Sequence, residues 1–344
     1  MTHPGPESGI GETDLALIDA IQCAPRAPWS RIGPVVGLDP TTAARRWTAL
    51  CDAGLVWVTA YESGAAATVA FVELRCHPSA IERIGSAVSA EPWVFTVDET
   101  AGEYDLLISV ASADLPALAR WLRVLVAGLD GVHSTRIRVG TRCYRKGAGW
   151  RVGVLSAAQS AALTPLQPAV SMTYSTHTAN RPSPQDQTLV DALGPDARMS
   201  YIALGTATGT SEYAARRRLQ RLIRSGVVML RGDFAYAPAG LSTLAIYRLV
   251  IPHAELDHAS RRLAERADVC LCTSITGGAN LMVKVVCAGL DGLHDFETAL
   301  AAQSPAARIE DRTIVVRTRK RLGRLLDDTG RAIGHVPFGP PVRA

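Results

Sequence analysis

The sequence predicts an α+β chain with two winged-type helix-turn-helix domains, each followed by a ferredoxin-like βαββαβ domain. Three observations carry this prediction. A segment recurs; each copy places a glycine turn before a capped helix; and each is followed by a strand–helix–strand–strand–helix–strand pattern. GLDPTTAARRWTALCDAGLV from Gly37 matches GTSEYAARRRLQRLIRSGVV from Gly209 without gaps, a displacement of 172 (209 − 37). Ala43 then meets Ala215, Arg45 meets Arg217, Arg46 meets Arg218, Leu50 meets Leu222 and Gly54 meets Gly226, while Trp47 meets Leu219.

Taken in order, Thr13 is a candidate cap for a helix over 14–22, with Leu17 and Ile21 one turn apart. Ser183, Pro184 and Asp186 give the second copy a start signal of cap, proline at the first helical position and acid in the first turn. Short helices are expected over 31–36 and 200–206. Gly37 and Gly209 turn the chain, and Asp39–Pro40 and Ser211–Glu212 open the next helix, which ends at Gly54 or Gly226.

On that third helix Ala43, Trp47 and Leu50 share one stripe, and Thr41, Arg45, Thr48 and Asp52 the opposite side. In the second copy Ala215, Leu219 and Leu222 face in, with Tyr213, Arg217, Gln220 and Arg224 outward. Hydroxyls near a helix start and arginines one turn later suit a major groove, where arginine grips guanine with two hydrogen bonds. The candidate DNA-reading set is therefore Thr41, Thr42, Arg45, Arg46, Thr48, Tyr213, Arg216, Arg217, Gln220, Arg221 and Arg224. A solvated arginine face is the commoner meaning of such a helix taken alone; the glycine turn, the cap and the repetition argue for reading. Net charge is zero over 39–54 and +4 over 211–226, because five arginines face one glutamate in the second copy. The second copy is thus expected to supply most of the salt-dependent affinity for double-stranded DNA.

After each helical unit come β-rich runs. TVAFVELRC, WVFTVDETAG, YDLLISVAS and HSTRIRVGTRCY alternate with helices near 78–88 and 115–127. TLAIYRLVI, CLCTSI, LMVKVVCAG and RIEDRTIVVRT alternate with helices near 253–266 and 291–302. The order is βαββαβ twice. Both helices of such a fold lie on one sheet face, and the open face usually pairs with another copy, which favours a homodimer or higher homo-oligomer.

The bulk numbers agree with this organisation. A chain of 344 residues is expected to hold more than one domain, and 47% hydrophobic with 20% charged residues allows real cores. The net charge of +4 permits nucleic-acid binding without arguing for it alone. The start, MTHPGPESGIGE, has neither a basic nor an apolar segment, and no run approaches a membrane span, so a cytoplasmic protein is expected. Seven scattered cysteines fit a reduced compartment. Cys270 and Cys272, two apart on a strand, are expected to share a core face. No metal or cofactor is expected.

The whole pattern resembles the Lrp/AsnC family, the leucine-responsive or feast/famine regulators, on GLDPTTAARRW…L…AGLV and on GEYDLLISV at the third strand. The resemblance covers 12–145 and 183–318 and reads as a tandem fusion of two family units. It implies a transcription regulator, not an enzyme, whose βαββαβ (RAM-type) part senses an amino acid or related metabolite and builds oligomers. The family's G-x-Y-D turn near the ligand pocket maps onto Gly102, Tyr104 and Asp105; a carboxylate there can meet a ligand ammonium, though a plain turn with a strand-edge aspartate explains Asp105 as well. In the second copy Ala279 and Asn280 replace the tyrosine and the acid.

The expected domains are 12–62 and 183–236 (helix-turn-helix), 63–145 and 237–318 (sensor and assembly), 146–182 (linker, with a short helix capped near Ser156) and 319–344 (a tail, disordered after about 328). Two other readings compete. A sirohaem-decarboxylase-like enzyme would need a histidine near the second and third strands, and neither 92–111 nor 267–287 has one. A chromosome-organising protein would bind DNA with little sequence preference.

Overall fold

A computed structural model of the chain describes residues 9–62, 68–163 and 183–337. The first half runs α1 (Glu12–Cys23), α2 (Trp29–Val35), α3 (Pro40–Asp52), β1 (Val56–Glu62), β2 (Thr68–Cys76), α4 (Ile81–Ser89), β3 (Val94–Ala101), β4 (Leu106–Ser112), α5 (Leu115–Ala127), β5 (Val132–Arg145) and α6 (Ala157–Ala162). The second half repeats the order: α7 (Pro184–Leu193), α8 (Tyr201–Ala207), α9 (Glu212–Arg224), β6 (Val228–Phe234), β7 (Thr243–Val250), α10 (His253–Glu265), β8 (Val269–Ile275), β9 (Leu281–Cys287), α11 (Asp291–Gln303) and β10 (Arg308–Arg321). It closes with a hairpin, β11 (Arg324–Leu326) and β12 (Ala332–His335).

Local chemistry sets the helix starts. The Asp39 carboxylate accepts from the backbone N–H of Thr41 at 2.8 Å and of Thr42 at 3.4 Å, with Pro40 at the first helical position. Ser211 accepts from Ala214 N–H, and Ser183 forms a capping box with Asp186. Gly37 and Gly209 take φ of +73° and +65° in the turns between helices, where a side chain would be strained. One expectation fails locally: α1 begins one residue before Thr13, and its cap is Gly11, whose N–H donates to Asp14 at 3.0 Å.

The two halves are related by a pseudo-twofold within the chain. β1 and β6 pair antiparallel, Val56 with Phe234 through to Glu62 with Val228, about a central pair Thr59–Arg231. Thr59 and Arg231 are each other's repeat equivalents, so the ladder maps onto itself when the halves are exchanged. Between α1 and α2 the exchange is again reciprocal. Arg26 donates to the carbonyls of Ala197 and Met199; its equivalent, Arg198, donates to those of Pro25 and Ala27. Arg26 stacks over Tyr201 at 4.4 Å and Arg198 over Trp29 at 4.2 Å. One continuous core, from Leu17 and Trp47 to Leu189 and Leu219, runs through both helical units.

The sheets interlock the same way. β10, β3, β4, β2, β5, β8, β9 and β7 form a continuous sheet, and β7 pairs back onto β10, closing an eight-stranded barrel. β5 leaves β2 to pair with β8, Gly140 opposite Ile275; β10 leaves β7 to pair with β3, Val315 opposite Thr100. Each unit keeps its helices outside over its own core. The inner faces meet around Phe71, Leu107, Ile246 and Met282. The open face that suggested a second chain is therefore covered from within the same chain, because the missing partner surface is supplied by the other unit. A closed barrel also removes the free edges that favour pairing with other chains.

Three further expectations change. Cys270 lies in the core shared with the helical units and Cys272 in the core under α10 and α11, because a register shift between Val269 and Leu271 turns residue 270 away. Beyond β5 the chain packs on the first helical unit: Arg151 pairs with buried Asp19 at 2.8 Å, Leu155 N–H donates to Asp19, and Gln159 of α6 donates to Val35 O. The segment expected to be disordered is an ordered hairpin through 337. Ala332 N–H donates to Gly54 O, Arg331 to Ala53 O and Arg324 to Pro195 O, so it seats on both helical units. The Pro/Ser/Thr-rich stretch 164–182 and Gly339, Pro340 and Pro341 lie outside the described residues.

Candidate nucleic-acid interface and effector turn

α3 and α9 each present one apolar and one polar face. Ala43, Trp47 and Leu50 are buried beneath α3, and Ala215, Leu219 and Leu222 beneath α9. Thr41, Arg45, Arg46 and Thr48 are exposed and Thr42 half-buried; Tyr213, Arg216, Arg217, Arg221 and Arg224 are exposed and Gln220 half-buried. The predicted set thus falls on the outward side of two helices.

The arginines divide into two kinds. Asp14, nearly buried, takes Arg46 at 2.5 Å, and this carboxylate holds the guanidinium pKa above its usual value. Its equivalent, Asp186, accepts two hydrogen bonds from Arg221 at 2.8 and 2.9 Å and lies 3.5 Å from Arg218. These pairs latch α1 to α3 and α7 to α9. The latch was not foreseen, though its signal was present: an aspartate in the first turn of each helical unit, both acids at the repeat displacement. Arg45, Arg217 and Arg224 make no ion pair or side-chain hydrogen bond among the described residues and project outward. Arg216 lies over Tyr201 at 5.7 Å. The Thr48 hydroxyl donates to Ala44 O within its own helix, which leaves it an acceptor lone pair for a base edge.

The turn expected to meet an effector, Gly102 to Asp105, sits between β3 and β4. Thr100 Oγ1 donates to Tyr104 O at 2.6 Å, and Arg136 stacks over the Tyr104 ring at 4.9 Å while reaching Glu103 at 3.5 Å. The Asp105 carboxylate accepts the Cys76 N–H at 2.7 Å, fixing the end of β2. In the other unit Asn280 does the same for Ile251, accepting its N–H and donating to its carbonyl. The acid-to-amide exchange thus preserves a strand-end role, and Asp105 is engaged by the backbone rather than held open. Gly102 packs where a Cβ would meet the Thr313 side chain at 3.0 Å; at Gly277 a Cβ would meet Arg138 at 2.5 Å. Each turn therefore rests on a strand of the opposite unit.

Beneath both turns lies a buried charged cluster. Glu73 and Arg248 occupy equivalent positions on β2 and β7 and form an ion pair with each other across the pseudo-axis. Arg138 lies 3.5 Å from Glu73; Arg248 also holds Asp311 at 2.5 Å and Thr313 at 2.9 Å. A second pair, Lys284 with Asp98 at 2.5 Å, lies elsewhere between the sheets. Sequence reasoning passed over these residues, although an acid and an arginine at matching places in otherwise apolar strands were a readable sign. Among the described residues no group of three or more His, Cys, Asp or Glu side chains is placed to hold a metal, and no helix is long and apolar enough to cross a membrane.

Residues 11–50 match the AsnC-type helix-turn-helix domain and residues 69–146 the Lrp/AsnC ligand binding domain. The chain is similar to HTH-type transcriptional regulator FL11 of Pyrococcus horikoshii, 22% identical over 131 residues, 36% of this chain and 87% of that protein. It is also similar to the uncharacterised HTH-type regulator PH0140 of the same organism, 23% identical over 137 residues, 38% of this chain and 86% of that one. In fold it is similar to the siroheme decarboxylase NirDL in complex with an iron-uroporphyrin III analogue: TM-score 0.54, 13% identity, 89% of this chain and 92% of that one. The latter likeness is one of architecture. Residues 11–50 and 69–146 thus match, in order, the two domains of an Lrp/AsnC regulator.

Proposed function

We propose that the chain is a cytoplasmic, sequence-specific DNA-binding transcription regulator, a tandem fusion of two Lrp/AsnC units that responds to an amino acid or related small metabolite. Its reading domains are 12–62 and 183–236; its sensor domains, 63–145 and 237–318. The observation that carries this is the outward arginine face of α9, latched by Asp186 and standing on a capped helix after a glycine turn. Such a face supplies phosphate attraction and, through Arg217, a guanine-reading side chain. The effector is assigned to the turn at Gly102 and Tyr104, beside Arg136, with Asp105 serving chiefly to hold the strand end. Against the decarboxylase alternative counts that β3, β4, β8 and β9, where its histidine is expected, contain none.

A mobility-shift titration of the full chain with genomic-fragment duplexes at low salt tests the reading. Saturable binding that survives excess random competitor supports it; no shift at any protein concentration contradicts it. Binding equally well to cognate and random duplex would favour the chromosome-organising alternative. A Soret band appearing on incubation with an iron tetrapyrrole, without DNA binding, would favour the enzyme.

A further inference from the structure

The two reading helices are held as an isologous pair, and they are not alike. The β1–β6 ladder maps onto itself about Thr59–Arg231, and Arg26 and Arg198 exchange places across the same pseudo-twofold. A twofold-related pair of reading heads matches half-sites in inverted orientation; heads related by translation would match direct repeats. The barrel is closed inside one chain, so both heads are present without a second copy.

At equivalent stations the outward side chains then diverge. Arg45 and Arg217 correspond, and both project outward. One turn and more along, Asp52 of α3 stands where α9 carries Arg224. An acid at that station repels the backbone phosphates that an arginine attracts. The unequal heads share a single frame, so their difference must be expressed on the duplex.

Resting on the regulator reading above, we propose that the cognate duplex is an inverted repeat with halves of unequal stringency, occupied by one chain. α9 takes the stringent half through Arg217 and Gln220, the latter standing where α3 has the shorter Thr48, while Arg224 adds phosphate attraction. α3 takes the permissive half through Arg45. The partner is double-stranded DNA whose two-fold symmetry is broken in the same sense as the protein's.

The test is in vitro selection by the full chain from a randomised duplex of about 30 base pairs, long enough for two half-sites roughly one helical turn apart. The chain-to-duplex ratio is then measured by sedimentation with the selected duplex. The expected consensus is inverted, with one half carrying more sequence information, at one chain per duplex. Arg217→Ala lowers affinity about tenfold or more and makes the protein indifferent to changes in the stringent half. Arg45→Ala lowers it less and acts only on the other half. Both positions are exposed, and an unchanged melting temperature in each variant confirms that the fold is intact. A consensus of direct repeats, two equally informative halves, or two chains per duplex would overturn the proposal while leaving DNA reading in place. A selection that enriches nothing, with no binding at low salt, would overturn both.

Discussion

Glu73 and Arg248 show how single residues hold the two halves together. Each is nearly fully buried, and each faces the other across the pseudo-axis. Charges taken out of water are tolerated only when paired, and removing Glu73 leaves Arg138 without its carboxylate and Arg248 with Asp311 alone. Glu73→Gln is therefore expected to cost about 3 kcal/mol or more in urea unfolding, and the double change with Arg248→Gln less than the sum of the two singles. An additive result would mean that the pair is not coupled. Lys320, also fully buried, donates to Glu91 O at 2.8 Å, and burial pushes its ammonium pKa down to about 7. The unfolded chain then binds more protons than the folded one between about pH 7 and its ordinary pKa of 10.5, so this group makes stability rise with pH across that window. Lys320→Met is expected to stabilise most at pH 7 and below and to lose that advantage towards pH 10.5. Melting temperatures across the window check it; a pH-independent difference contradicts it.

At the level of elements, α3 and α9 were legible in the sequence as capped helices because their signals are local. A cap, a proline and a glycine at fixed spacing specify a helix wherever it packs. Placement against distant chain was not legible. The tail reads as disordered from its composition, yet Asp327 Oδ1 accepts from Thr329, from its hydroxyl and from Arg331, folding the segment into a tight turn that returns β12 onto Gly54. β5 and β10 read as simple strands. What the alternation cannot show is that each changes partner halfway, since both partners demand the same period. Asp105 was ambiguous for the same reason, its partner Cys76 N–H lying 29 residues away. The hairpin yields a prediction: Ala332→Pro removes the N–H that donates to Gly54 O and is expected to cost about 1–3 kcal/mol. Hydrogen exchange at the end of α3 should rise with it; unchanged protection there would show that the hairpin does not brace that helix.

The molecule as a whole is a dimer-like object made from one chain. Its barrel takes strands from both halves, its two helical units share a core, and straps run from β5 and β10 onto the helical units. Neither half completes its buried surface alone. Calorimetry is accordingly expected to give one cooperative transition, whereas two resolved transitions would mean that the halves fold as separate units. The same frame fixes where α3 and α9 stand, and it makes their unequal charge a property of the whole particle. The most direct test is the salt dependence of binding to a genomic duplex, measured by anisotropy for the native chain, for Arg217→Gln with Arg224→Gln, and for Arg45→Gln. The slope of log affinity against log salt should fall by about 2 for the α9 pair and by about 1 or less for Arg45. A slope unmoved by the α9 pair, or a chain that ignores duplex DNA at low salt, would contradict the account.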